Sequence, residues 1–217
     1  VWDVRIYFRV WDLFLLFGTF VWCLGVFSGF GSFYHVWKQI FVFGSLITRN
    51  ETSRDTLKEL LKIAPFKLFD VNLRSPYYNF NLIEELMLSS DFIKFNLEEI
   101  IEISSIYNRK ETSLESMIKI ISKKTKTTNI CVTMGEKGAC YYTNNSFYFQ
   151  DGFKITVSDT IGAGDSFLAT LVEGILNNAK PEEVLKKACA VAAIVASKKG
   201  ATSKVSLNEI SDLIESK

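Results

Sequence analysis

The stretch DTIGAGDSFLA, residues 159–169, sets three small residues, Gly162, Ala163 and Gly164, directly before an acid, Asp165, and an apolar helical pattern begins at once. A helix N-terminus presents unpaired N–H groups and a partial positive charge. Glycine lets a ligand approach that backbone closely, because no Cβ stands in the way. Such a turn can hold an anion, most often a phosphate. A carboxylate beside it competes for the same field. That placement makes sense where an ionised acid must take a proton next to developing negative charge. Phosphoryl transfer to an alcohol has this requirement: a base for the hydroxyl, and donors for the group in transit. The competing reading is an ordinary loop-to-helix turn capped by Asp165 or Ser166. The stretch is neither GxxxxGK[ST] nor GxGxxG.

Composition narrows the alternatives. The chain has 217 residues, 48% of them hydrophobic and 18 of them Phe, enough apolar surface for a real core. That length suits one medium domain, or one domain with a small appendage. With 25 basic against 24 acidic residues the net charge is +1, and no basic stripe points to nucleic acid. The four cysteines, Cys23, Cys131, Cys140 and Cys189, have no metal-ligand spacing and read as reduced thiols of a cytoplasmic protein. The single histidine, His35, lies among aromatics, which argues against a Ser–His–Asp triad and a His-rich metal site. Acid–base chemistry therefore falls to carboxylates.

The elements that must position these residues are legible from about residue 41 on. FVFGSLI (41–47) is a short β-like run, ETSRDTLKELLKIA (51–64) has helical spacing, and FKLFDVN (66–72) reads as a strand. A helix near 80–88, a strand at 91–95, a helix opening at Asn96 and another over 113–124 follow. NICVTM (129–134) is a strand entering a glycine turn, and ACYYTNNSFYFQ (139–150) a hairpin turning on Asn144-Asn145. Residues 166–178 carry Phe167, Leu168, Leu171, Val172, Ile175 and Leu176 on one stripe. The next helix starts at Pro181, has Lys198 and Lys199 in its last turn and Gly200 after it. Alternating strands and helices mean an α/β domain with a mainly parallel sheet.

Residues 1–40 are unlike the rest. Between Asp12 and Lys38 lie 25 residues without formal charge, a length that could span a bilayer. Gly18, Gly25, Gly29 and Gly31 interrupt that run and its aromatics are spread throughout, so a membrane anchor over 13–37 is the minor reading. There is no n-region or cleavage site of a signal peptide.

DTIGAGDSF resembles the DTxGAGD motif of the PfkB (ribokinase-like) carbohydrate kinases. VTMGEKGA (132–139) is similar to that family's TxGxxG nucleotide loop, and KFNLEEI (94–100) to its NxxE motif. FDVNLRSPYY (69–78), after the GSL of 44–46, is similar to the fructokinase-like branch. AVAAIVASKKGA (190–201) resembles the helix and turn that close the adenine site. These motifs, in the family's order, span residues 41–217.

The resemblance implies a ribokinase-like three-layer α/β/α domain over 41–217, N-terminally incomplete, with 1–40 an atypical segment. It implies ATP-dependent phosphorylation of a sugar, fructose by preference, with Mg²⁺ and in some relatives K⁺. By the carry-over Asp165 is the general base, and the N–H groups of Gly162, Ala163 and Gly164 form the anion hole. Thr133, Gly135 and Gly138 border the nucleotide, although a tight strand-to-hairpin turn alone would justify both glycines. Asn96 and Glu99 organise Mg²⁺ through its waters, or form a helix cap, and the two roles can coexist. Asp70, Asn72 and Arg74 end a strand, where open α/β sheets bind ligands, and Arg74 reads as a phosphate or substrate clamp, or a surface ion pair. Asp159 is carried over as a monovalent-cation ligand and Cys189 as an adenine-pocket residue or plain core. Lys198 and Lys199 read as helix C-terminal cations. Homodimers occur in the family. Nothing in 1–40 matches the family's GG sugar loop or β-lid, so a catalytically impaired nucleotide-binding fragment is the alternative.

Overall fold

A computed structural model of the chain describes residues 22–24, 40–108, 113–200 and 203–216. Most of the 13–37 stretch lies outside the described residues. Among the described residues, no helix is long and apolar enough to cross a membrane. The chain divides into two compact units, Val1–Ile93 and Lys94–Lys217.

In the first unit, β1 (Trp22–Leu24) pairs antiparallel with β2 (Ile40–Gly44), and β2 pairs parallel with β3 (Lys67–Asp70). A near-continuous apolar run is what a strand covered on both faces requires, and IFVF of β2 is buried throughout. The Phe43 and Phe69 rings stack across β2 and β3 with centroids 5.1 Å apart. The parallel connection runs through a 3₁₀ turn (Ser45–Arg49) and α1 (Glu51–Ile63), which begins where the Asn50 side chain accepts from the Ser53 N–H at 2.8 Å and buries Leu57. Asn79 caps α2 (Phe80–Leu88) in the same way, and Ile83, Leu86 and Met87 form its buried face. The strand expected over 66–72 is shorter because Asn72 takes φ +40° and turns the chain away. Likewise the run at 41–47 keeps only its first residues as strand, with SLI entering the 3₁₀ turn.

The second unit continues β4 (Phe92–Asn96) into α3 (Leu97–Tyr107) and α4 (Leu114–Thr125). β5 (Ile130–Thr133), β6 (Ala139–Thr143) and β7 (Ser146–Gln150) form an antiparallel meander. The β6–β7 turn has Asn144 and Asn145 both left-handed, at φ 50° and 59°, as a two-residue hairpin matching the strand twist demands. β6 is buried along its whole length between its two neighbours. Then come α5 (Ala163–Leu176), α6 (Pro181–Ser197) and α7 (Leu207–Glu215). The stripe on α5 buries Phe167, Leu168, Leu171 and Val172, each such burial stabilising by about 1.5–3 kcal/mol. A Lys187–Glu173 pair at 2.7 Å ties α6 to α5. Helix α5 begins at Ala163, four residues before the first stripe residue Phe167, so Ala163 and Gly164 lie inside its first turn and Gly162 is its N-cap.

Cys131, Cys140 and Cys189 are buried in this core and are not in disulfides. Burial, with the Glu115 carboxylate second, pushes the Cys140 thiol up to about 12. Thiolate is the reactive form, so Cys131 and Cys140 should resist an aromatic disulfide reagent at pH 8 and react once the chain is unfolded in denaturant. Rapid native-state labelling of Cys140, read by peptide mass mapping, would contradict this packing.

Candidate active site

Of the seven described helices, five have an N-cap side chain that accepts from the first turn: Asn50, Asn79, Asn96, Ser113 and Ser206. α6 has none but starts on Pro181, which removes one donor. α5 has neither device. Its N-cap is Gly162 at φ +83°, a left-handed conformation cheap only for glycine, and no side chain caps the helix. The Ala163 N–H reaches back to the Thr160 carbonyl at 3.2 Å. Gly164 and Asp165 follow as the next two donors, which have no partner within a helix. A Cβ at Gly164 would meet nothing within 4 Å, so open space lies over this turn. The Asp165 carboxylate is exposed at its edge and has no partner among the described residues. It is not the cap that the competing sequence reading made it, and Ser166 turns its hydroxyl inward to the Ala163 carbonyl at 2.9 Å.

Asp159 braces the approach to this turn. One carboxylate oxygen accepts from the Ile161 N–H at 3.0 Å and the other from the Gly200 N–H at 3.3 Å. Ser158 and Asp159 also donate backbone N–H groups to the Ala196 carbonyl. The end of α6 and the start of α5 are thus joined through one aspartate.

Asn96 and Glu99 form a reciprocal capping box: the Asn96 side chain accepts from the Glu99 N–H at 2.9 Å, and the Glu99 carboxylate from the Asn96 N–H at 2.8 Å. Glu99 is 6% exposed. The cap reading of NLEE is therefore realised in full. Thr133 ends β5, and its hydroxyl points to the Phe95 carbonyl at 3.4 Å, which brings it beside the β4–α3 junction. Among the described residues no cluster of three His, Cys, Asp or Glu side chains could cage a metal. A hard divalent ion that keeps its waters and rides on phosphate oxygens needs no such cage.

The glycine turn after Thr133 is built for close approach. Gly138 has φ +91°, and a Cβ there would stand 1.9 Å from the Gln150 carbonyl. Gly135 is also left-handed, at φ +59°, but faces open space. Packing alone accounts for Gly138 and leaves Gly135 free to border a ligand.

Sequence reasoning missed a groove in the second unit. Helix α7 opens with a Ser206–Glu209 capping box, and a groove of about 380 Å³ runs beneath it, lined by Ile155, Ile194, Lys198, Glu209, Asp212 and Leu213. The S-x-x-E pattern of SLNE (206–209) was the available signal. Lys198 is the C-cap of α6 rather than a last-turn cation, donates to the Lys204 carbonyl at 2.6 Å, and pairs with Glu209. Cys189 is buried core.

Asp70, Asn72 and Arg74 belong to the Val1–Ile93 unit, where Gly44 pairs with Asp70 in the β2–β3 register. The Ser45 hydroxyl donates to the Asn72 carbonyl at 3.0 Å. Arg74 is exposed, and its guanidinium has no partner among the described residues.

Two outcomes follow. Gly138→Ala should lower stability by about 2–4 kcal/mol, since the left-handed strain and the backbone clash add, measured by urea unfolding; a loss under about 0.5 kcal/mol would show that the turn can open freely. The second concerns Glu209, whose carboxyl is held down to about 2 by the Lys198 ammonium first and the Ser206 donors second. Its folded value lies below the ordinary 4.5, so its contribution is complete above that pH and is lost as pH falls toward about 2. Amide exchange in α7 should accelerate over this window, and Lys198→Met should weaken the dependence.

Comparison with known proteins agrees with the arrangement. Residues 38–208 match the profile described as pfkB family carbohydrate kinase. A fructokinase-2 of Solanum lycopersicum is 30% identical over 179 residues, covering 75% of this chain and 53% of its own length. A fructokinase of Solanum tuberosum is 42% identical over 79 residues, 33% of this chain and 25% of its own. The chain spans about half the length of the curated fructokinase-2 relatives it matches. Among solved structures, the fructokinase of Vibrio cholerae O395 in its fructose-, ADP- and calcium-bound form superposes with a TM-score of 0.70 at 23% identity, over 81% of this chain and 60% of that one. The 2-dehydro-3-deoxygluconokinase of Thermotoga maritima gives 0.70 at 19% identity, over 81% and 59%. These likenesses establish an α/β, ribokinase-like fold. A profile match over residues 38–208, most of the chain, makes this chain a member of the pfkB family of carbohydrate kinases.

Proposed function

We propose that this chain phosphorylates a sugar hydroxyl with ATP as donor, fructose being the preferred acceptor. The observation that carries the reading is the α5 N-terminus: left without a side-chain cap, open above Gly164, and edged by the exposed Asp165 carboxylate, which has no partner among the described residues. The fructokinases among its relatives, and the fructose and ADP held by the Vibrio cholerae fold neighbour, support the choice of sugar and nucleotide.

In this reading the Asp165 carboxylate accepts the proton of the sugar hydroxyl as that oxygen bonds the γ-phosphorus. The bond from phosphorus to the bridging oxygen breaks, and ADP departs with the electron pair. The N–H groups of Gly164 and Asp165 donate to the phosphoryl oxygens in transit, where preorganised donors contribute most. Gly162 supports this role by leaving the turn uncapped, while the Ala163 N–H is already shared with Thr160. Thr133 and Gly135 border the nucleotide, and Gly138 shapes that loop. Arg74 grips an oxyanion, bidentate where geometry allows, with Asp70 and Asn72 framing it. The groove under α7 takes the base between its aliphatic walls. Mg²⁺, when bound, would screen the phosphate charge, and Glu99 and Asn96, which keep the α3 cap, would hold it through its waters. Asp159 spends both oxygens on backbone donors, which suits a brace with at most a secondary role toward K⁺.

Nucleotide binding without sugar turnover is the second reading. ADP release by the full chain with MgATP, across fructose, ribose and other sugars, separates the two. Turnover requiring one sugar is expected, and Asp165→Asn should lower its rate ~10²–10⁴-fold with nucleotide affinity retained. Nucleotide binding with no turnover on any sugar would establish the second reading instead.

A further inference from the structure

Four polar side chains line the groove under α7: Ser197, Lys198, Glu209 and Asp212. Three of them are committed within the Lys94–Lys217 unit. Glu209 gives one carboxylate oxygen to the Lys198 ammonium and the other to the Ser206 N–H and hydroxyl, at 2.8 and 2.9 Å. An ammonium has three donors. Lys198 places one on the Lys204 carbonyl at 2.6 Å and one on Glu209, which leaves a single N–H. The Ser197 hydroxyl donates to the Ile194 carbonyl at 2.7 Å and can then only accept. Asp212 differs from these. It is exposed, and its carboxylate has no partner among the described residues.

The place of Asp212 in the groove is fixed by its neighbours. It follows Glu209 by three residues on α7, on the same helix face and about 4.5 Å along the axis. Glu209 is itself pinned to Lys198 by the ion pair and to the helix start by the capping box. The groove measures about 380 Å³, room for a planar base beside the aliphatic Ile155, Ile194 and Leu213. The N–H left on Lys198 does not discriminate, since every base has a ring nitrogen or a carbonyl oxygen to meet it. An ionised carboxylate only accepts, so it does discriminate. Adenine brings a 6-amino donor. Hypoxanthine has a carbonyl oxygen at that position, and two acceptors face to face lose water without forming a bond.

We propose that Asp212 reads the nucleotide base: its carboxylate accepts a hydrogen bond from the 6-amino group, so that the groove selects an amino-bearing purine over its 6-oxo counterpart. This rests on the kinase reading and on the groove as the place of the base. To that reading it adds which edge of the base is recognised, and by which residue. The cap and the ion pair of α7 use Ser206, Glu209 and Lys198, so Asp212 can be changed without touching either.

The test is calorimetric titration of the full chain, wild type and Asp212→Asn, with the Mg²⁺ complexes of ATP, inosine triphosphate and purine riboside triphosphate. The wild type should bind MgATP about tenfold more tightly than the purine riboside analogue, which lacks only the amino group. That is the lower end for a hydrogen bond to a charged group, as an open groove implies. The inosine nucleotide should bind more weakly still. An asparagine side chain both donates and accepts, so Asp212→Asn should bring the ATP and inosine nucleotides within about twofold of each other. Removing the charge shifts all three triphosphates alike, and so does any general loss of fold, so the ratio within one protein isolates the base. A wild type that binds all three equally would overturn the assignment while leaving nucleotide binding intact. So would an ATP-to-inosine ratio that survives in Asp212→Asn. A wild type that binds none of the three would overturn the kinase reading beneath it and this assignment together, which tells the two failures apart.

Discussion

Gly162 sits at φ +83°, and the structure around α5 depends on what that conformation withholds. A left-handed N-cap without a side chain offers no acceptor oxygen to the first turn, so the N–H groups there and the partial positive charge of the helix end are not met by a cap. Elsewhere the same sequence spends Asn or Ser on this job, with side-chain oxygens placed at 2.8 to 3.3 Å from backbone donors. Leaving one helix uncapped costs stability, typically about 1 kcal/mol per missing cap. The apolar stripe of α5, packed against α6, offsets that cost. Stability is built into one face of the helix, while its N-terminal turn stays open.

The remaining features serve that end. Asp159 binds the approach to Gly162 and the Gly200 turn at once, so the start of α5 and the close of α6 share one joint. Lys198, two residues before Gly200, carries the connection on to Glu209 and hence to α7. Asp159 and Lys198 are both held by hydrogen bonds to backbone, to Ile161, Gly200 and Lys204. Loops at the carboxyl ends of the strands are where an α/β sheet places its chemistry. The capping box of Asn96 and Glu99 shows how economical this is, since one pair of residues starts a helix and also lines the β4–α3 junction.

Much of this was legible in the sequence because local chemistry determined it. The spacing of Leu57 on α1 and of Phe167, Leu168, Leu171 and Val172 on α5 dictates which face is buried, and Pro181 sets the start of α6. Asn144-Asn145 specified a hairpin that the structure contains. The family followed from short motifs whose glycines and acids have few other reasons to occur together. What was not legible depended on residues distant in sequence. Gly138 owes its identity to the Gln150 carbonyl, Asp159 joins Gly200 across 41 positions, and Lys198 is recruited by a helix whose capping signal went unread. The strand ends at Asp70 and Gly44 were overextended because apolar periodicity continues past the residue where the backbone turns.

The most direct test of the account is the response of the α5 first turn to phosphate. Amide proton shifts of Gly164 and Asp165, recorded as MgATP and, separately, adenosine are added to the full chain, report on whether these donors take an anion. The account predicts large downfield shifts at both amides with MgATP and none with adenosine. Saturable MgATP binding that leaves both amides unmoved would contradict it, and would place the phosphates somewhere other than the uncapped helix.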